Sequence, residues 1–80
     1  MKLIAPIPGR IEALACAEGA RIARGDVALY MESMKMKIPV YAQEDGVISY
    51  RVGESDAVLR GDVLAEICAE ETDVGGKNDK

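Results

Sequence analysis

The sequence predicts an all-β protein, a flattened β-sandwich of two small sheets related by an approximate two-fold axis. Three observations support this prediction: short segments with alternating apolar residues, turns that contain glycine and aspartate, and a repeat that spans both halves of the chain. Eighty residues suffice for one domain, and each half alone has too little apolar core. The two halves are therefore expected to pack against each other.

The repeat has an offset of thirty-six residues, at which EGARIARGDVAL (residues 18–29) aligns with ESDAVLRGDVLA (residues 54–65). Outside this block, Gly9 aligns with Gly46 after a slip of one residue. The chain therefore consists of two similar halves, and the segment that joins them is not part of either copy.

Each half is predicted to contain short strands separated by turns. The segments DVALYME (residues 26–32) and DVLAEIC (residues 62–68) have apolar residues at alternate positions, as half-buried strands do. Glycine adopts positive φ readily and aspartate bonds to nearby backbone, so the Arg-Gly-Asp sequence in each half predicts a turn. The glycines assigned to structural turns are Gly9, Gly25, Gly46 and Gly61. Residues 70–80 are polar and are predicted to be a disordered tail, which leaves a domain of residues 1–69.

The junction between the halves reads MESMKMKIPV, residues 31–40. Two strand-like segments leave almost no room for a loop here, which predicts a tight hairpin with Met34 and Lys35 near its tip. Two-residue hairpins favour Asn-Gly because their central residues have positive φ, and this pair departs from that rule. On the residues alone, Lys35 is either a solvated turn residue beside methionines that cap the core, or an attachment site beside methionines that a modifying enzyme recognises.

Composition excludes several classes of function. Fourteen acidic against ten basic residues give a net charge of −4, which disfavours nucleic acid and anionic membrane surfaces as partners. No segment approaches the ~20 apolar residues of a membrane span, and the N-terminus lacks an apolar secretory segment, so we expect a cytoplasmic protein. The absence of histidine excludes Ser-His and Cys-His nucleophile pairs, and Cys16 and Cys68 form no metal-binding motif. We therefore expect neither catalysis nor a metal site.

The motif ESMKM, residues 32–36, resembles the biotin-attachment motif of biotin carboxyl carrier domains. APIPG (residues 5–9) is similar to the opening of such domains, and the two repeats are similar to their half-domains, so that the resemblance covers about residues 3–69. It implies a barrel-sandwich hybrid of two quasi-two-fold-related four-stranded antiparallel sheets. It also implies covalent biotin on Lys35, with recognition by a ligase or other partner through Glu32, Met34 and Met36.

The same resemblance implies a non-catalytic carrier. A biotin protein ligase would biotinylate Lys35, and the domain would then deliver carboxybiotin from a biotin carboxylase to a carboxyltransferase of a biotin-dependent carboxylase or decarboxylase. The main alternative is a lipoyl-carrier domain, with lipoate as the cofactor, or a protein that accepts either group. Lipoyl hairpins usually have an acidic residue before the lysine and a small one after it, whereas both neighbours here are methionine. An unmodified lipoyl-like structural module is the weakest alternative.

Two residues depart from the carrier pattern. Ser33 stands where alanine is usual, and Ser55 stands where a glycine is common. Because the repeat aligns Ser55 with Gly19, the sequence leaves the conformation of the second of these turns open. The halves differ by one residue, so no insertion comparable to a protruding thumb is expected, and the chain is most similar to small thumbless carriers and stand-alone attachment proteins.

Overall fold

The computed structural model describes residues 1–69, whose regular structure consists of eight short strands. This part of the chain contains no helix long and apolar enough to span a membrane. The predicted tail, residues 70–80, lies outside the described residues. The strands are β1 (Lys2–Ile4), β2 (Gly9–Leu14), β3 (Arg21–Ile22), β4 (Val27–Ser33), β5 (Met36–Tyr41), β6 (Gly46–Tyr50), β7 (Ala57–Val58) and β8 (Val63–Cys68).

The strands form two four-stranded sheets, and every pairing is antiparallel. One sheet has the order β1-β8-β6-β3 and the other has the order β5-β4-β2-β7. Each sheet contains two strands from the first half of the chain and two from the second. The predicted fold class is therefore confirmed, and neither sheet belongs to one half of the repeat.

Backbone hydrogen bonds connect the halves at equivalent positions. In the turn before β4, the Gly25 amide donates to the Ala42 carbonyl at 2.9 Å, and the Ala42 amide donates to the Asp26 carbonyl at 2.8 Å. The turn before β8 repeats both bonds at 2.9 Å each, between Gly61, Asp62 and Ala5. Each half thus supplies backbone partners to a turn of the other half, and these bonds also satisfy the backbone of the buried Ala5 and Ala42, where an unpaired group would be costly.

The core lies between the two sheets and is formed by aliphatic side chains and one methionine. No polar or charged side chain is buried within residues 1–69. Burial of this apolar surface is the main favourable contribution to folding, at about 25 cal/mol per Å². The largest fully buried side chains are Ile11, Ile22, Leu29, Met31, Ile48, Leu64 and Ile67.

Tyr50 links the two sheets through its hydroxyl group. From β6 it donates a hydrogen bond to the Ala28 carbonyl of β4 at 2.6 Å and accepts one from the Cys16 amide at 3.2 Å. Burial raises the pKa of Tyr50, because the charged phenolate would lose its hydration there. The aromatic side chain therefore adds a polar connection at the margin of the aliphatic core.

The four glycines assigned to turns have two different structural roles. Gly25 and Gly61 lie in turns at φ of 92° and 93°. Gly9 and Gly46 were wrongly assigned to turns, since they are the first residues of β2 and β6. A Cβ on Gly9 would lie 2.5 Å from the Glu32 carbonyl oxygen, and one on Gly46 would clash with the carbonyl oxygen of Cys68 in the same way. These two positions require glycine because another strand passes too close for a side chain.

The turn that contains Ser55 has the same conformation as the equivalent turn of the first half, which contains Gly19. Ser55 has a φ of 76°, close to the 81° of Gly19. Its amide donates to the Ile11 carbonyl at 2.8 Å, as the Gly19 amide donates to the Ile48 carbonyl at 2.9 Å. The tertiary hydrogen bond therefore maintains this conformation even where the residue is not glycine.

We expect Gly25→Val and Gly61→Val each to destabilise the domain by about 1–3 kcal/mol, since a β-branched residue is strained at positive φ. A Cβ at either position meets no atom within 4 Å, so the cost would come from the backbone and be similar at both sites. Urea unfolding of the variants measures it. Gly53→Val is the matched control, because Gly53 does not have positive φ and its nearest neighbour to a Cβ is 3.9 Å away. Unequal losses at the two turns would contradict their equivalence.

Candidate functional site

The junction of the two halves forms a two-residue β-hairpin. Strands β4 and β5 pair up to Ser33 and Met36, which leaves Met34 and Lys35 as the loop. Both loop residues have positive φ, 52° and 64°, as the favoured two-residue hairpin turns require. The tight hairpin predicted from the sequence is therefore confirmed, although neither residue is glycine or asparagine.

The hairpin presents Lys35 to solvent between two exposed methionines. Met34 in the loop is 90% exposed and Met36 on β5 is 62% exposed, whereas Met31 on β4 is fully buried. The alternative that the flanking methionines cap the core is therefore wrong. Lys35 is also exposed, and no hydrogen bond or salt bridge engages its ammonium group within residues 1–69. Its amine is free to react with a group delivered from outside.

The second lysine of the motif has a different environment. Lys37 lies on β5, opposite Glu32 in the register, and its Nζ is 4.6 Å from the centre of the Tyr30 ring. A cation at this distance from an aromatic face is attracted by the ring, by about 0.5–1 kcal/mol at an exposed site. The Lys37 side chain therefore lies on the outer face of the sheet, whereas Lys35 lies in the loop at the end of the sheet.

Glu32 lies on the outer face of β4, between two basic residues. It is exposed and pairs across the strands with Arg10 of β2 on one side and with Lys37 of β5 on the other. Opposite charges at directly facing positions stabilise a sheet by about 0.2–1 kcal/mol per pair. Glu32 is thus exposed on the outer face of the sheet, one residue before the last paired position of the hairpin.

The end of the sheet that bears the hairpin includes a residue that the sequence alone did not indicate. Strand β2 begins beside Ser33, and β7 ends opposite that point, where Gly9 pairs with Val58. The next residue, Leu59, is 69% exposed. The repeat could have indicated Leu59, because it aligns Leu59 with Ala23. The equivalent turn of the first half therefore has alanine where this turn has a large apolar side chain.

Comparison with known proteins gives this site its context. The Biotin_lipoyl family, described as biotin-requiring enzyme, matches residues 1–67. The chain is 42% identical over 64 residues to the biotin-dependent acyl-coenzyme A carboxylase alpha3 subunit of Mycobacterium leprae, which covers 79% of this chain but only 11% of that subunit. It is 44% identical over 52 residues to the biotinylated protein TB7.3 homolog of the same organism, which covers 64% of this chain and 73% of that protein.

Solved structures show the same fold. The urea carboxylase of Kluyveromyces lactis superposes with a TM-score of 0.80 and 28% identity, over 85% of this chain and 6% of that one. The lipoyl domain of the 2-oxoglutarate dehydrogenase complex of Azotobacter vinelandii superposes with a TM-score of 0.66 and 27% identity, over 76% and 78% of the two chains. The fold and the exposed hairpin lysine thus define a small cofactor-attachment domain. The chain belongs to the Biotin_lipoyl family.

We expect Met34→Asn to stabilise the domain by up to ~1 kcal/mol, because asparagine adopts left-handed backbone conformations more readily than methionine. The exposed Met34 side chain makes no contribution to the core that the substitution would remove. Urea unfolding measures the change. Met36→Leu is the control on the adjacent strand position and should change stability by less than about 0.5 kcal/mol. A loss of several kcal/mol in either variant would mean that these methionines support the fold.

Proposed function

We propose that this chain is a biotin carboxyl carrier domain in which biotin is joined to Lys35 through an amide bond. The single observation that supports this assignment most strongly is the free lysine at the tip of a two-residue turn, between two exposed methionines. Covalent attachment requires only an accessible primary amine and no enclosed pocket, and Lys35 fits this requirement. Glu32, Met34 and Met36 are proposed to be the residues that a modifying enzyme recognises.

The attachment reaction depends on an external enzyme. The Lys35 nitrogen must be unprotonated to attack the activated carboxyl group of biotinyl-adenylate, and the bond to the adenylate then breaks as AMP leaves. None of the described side chains hydrogen-bonds to the Lys35 amine as a base would, so the biotin protein ligase is proposed to accept the proton. The product is an amide, and the positive charge of Lys35 is lost.

The sandwich is proposed to act as a rigid, non-catalytic support. Bound biotin supplies a group that can be carboxylated at one active site and can donate the carboxyl group at another. Tethering biotin to Lys35 would raise the effective concentration of biotin at both active sites. The core of the domain would not need to contact either site. The proposed partners are a biotin carboxylase and a carboxyltransferase, and the proposed location is the cytoplasm. The names of the carboxylases that contain similar domains support this role.

A lipoyl carrier is the second candidate, because the Azotobacter lipoyl domain has the same fold. The lysine of this chain would accept lipoate by the same amide chemistry. The methionines on both sides of Lys35, and the biotin-dependent relatives, favour biotin. The mass of the adduct on the purified protein distinguishes the two cofactors.

We expect labelling with a biotin protein ligase, biotin and ATP to modify one residue, Lys35. Peptide mass spectrometry locates the adduct, and Lys35→Arg should abolish it. Lys37→Arg is the matched control and should be labelled as fast as the wild type, since Lys37 lies along the strand beside Tyr30. Labelling of Lys37, or undiminished labelling of Lys35→Arg, would contradict the assignment.

A further inference from the structure

Leu59 lies at the same end of its sheet as the modified hairpin. Gly9 adjoins Ser33 of the hairpin strand on one side and pairs with Val58 on the other. Neighbouring strands are about 4.8 Å apart, so Val58 lies about 10 Å across the sheet from Ser33. Leu59 directly follows Val58 and is 69% exposed. A protein that surrounds the hairpin would therefore meet Leu59 as well.

The internal repeat shows that the turn does not need a leucine at this position. Ala23 occupies the equivalent place in the first half, and its turn has the same two hydrogen bonds. The Asp26 amide donates to the Ala23 carbonyl at 2.9 Å, and the Asp62 amide donates to the Leu59 carbonyl at 3.0 Å. The aspartate side chains accept from the amides of Ala23 and Leu59 at 3.0 and 2.9 Å. The exposed leucine therefore has no role in forming the turn.

The difference between Leu59 and Ala23 occurs at a particular end of the molecule. Ala23 and Ala69 line the same surface pocket, at the end where β8 finishes, and no hairpin lysine occurs at that end within residues 1–69. Two other exposed apolar side chains, Ile4 and Tyr41, occupy equivalent positions in the two halves, so they follow from the repeat. Leu59 has no large apolar counterpart, and it occurs at the end that bears Lys35.

We propose that Met34, Met36 and Leu59 form one docking surface, and that its occupant is the biotin protein ligase that modifies Lys35. This inference rests on the proposed function. An unmodified lysine side chain is much shorter than a biotinyl-lysine arm, so the enzyme that reacts with its amine must bring its own surface against the end of the sheet. An enzyme that acts on the attached cofactor reaches it through the longer biotinyl-lysine arm and does not need this contact. The nearby exposed apolar surface therefore matches the ligase best.

The test compares ligase kinetics for the full 80-residue chain and its Leu59→Ala variant, with biotin and ATP. Loss of a leucine from a buried interface should raise KM for the carrier about fivefold to tenfold and change kcat by less than about twofold. Leu59→Met should retain the wild-type KM. Ala23→Leu, the matched control at the opposite end, should not lower KM. Urea unfolding verifies that the variants are folded, and Leu59→Gln replaces Leu59→Ala if the latter is not.

Each outcome is decisive. A wild-type chain that accepts no biotin overturns the proposed function itself. A labelled wild-type chain, together with a Leu59→Ala variant whose KM and whose rate of carboxyl transfer by a carboxylase are both within about twofold of the wild type, overturns the docking surface but not the proposed function. Normal labelling of Leu59→Ala with slower carboxyl transfer by a carboxylase would overturn the choice of occupant, because the surface would then serve the later partner.

Discussion

The structure depends on the hydrogen bonds by which each half of the chain completes the turns of the other. The strands of the first half are divided between the two sheets: β1 and β3 lie in one, and β2 and β4 lie in the other. The second half is divided in the same way. Alone, each half would retain one strand pair, β2 with β4 or β6 with β8, and would leave its core face open to water. The folding of the two halves is therefore a single event, which is how so short a chain builds a core.

This arrangement explains why the site is assembled from both halves. The hairpin at Lys35 is the covalent link between β4 of the first half and β5 of the second. Strand β7 of the second half then lies at the far edge of the same sheet and brings Leu59 to the hairpin end. The repeat supplies two equivalent ends of the molecule, and within residues 1–69 only one of them bears the exposed hairpin lysine that we propose is modified. The symmetric repeat thus forms the fold, and the proposed function depends on residues at one end that the repeat does not reproduce at the other.

The sequence was most informative where structure is determined by nearby residues. The Arg-Gly-Asp turns and the tight hairpin could be predicted because each depends on residues a few positions apart, and the repeat is visible when the sequence is aligned with itself. Gly9 was misassigned because its partner, the Glu32 carbonyl, is on another strand, and no local pattern reveals such a close approach. The turn at Ser55 is similar, since its positive φ is maintained by a hydrogen bond to Ile11. The exposure of Leu59 follows from where the two-residue strand β7 ends, which periodicity over so short a segment cannot define.

The position of Lys35 is ultimately determined by the core. Met31 and Val40 are buried on the two strands of the hairpin, and both must face inward. A slip of β5 by one residue against β4 would turn the apolar side chains of β5 outward. Packing therefore fixes the register of β5 against β4, and in that register the pairing ends at Ser33 and Met36, so that Met34 and Lys35 form the loop at positive φ. The conformational cost at the tip is offset by the apolar surface buried further along the two strands, so the backbone of Lys35 has a defined position at the end of the sheet while its side chain is exposed to solvent.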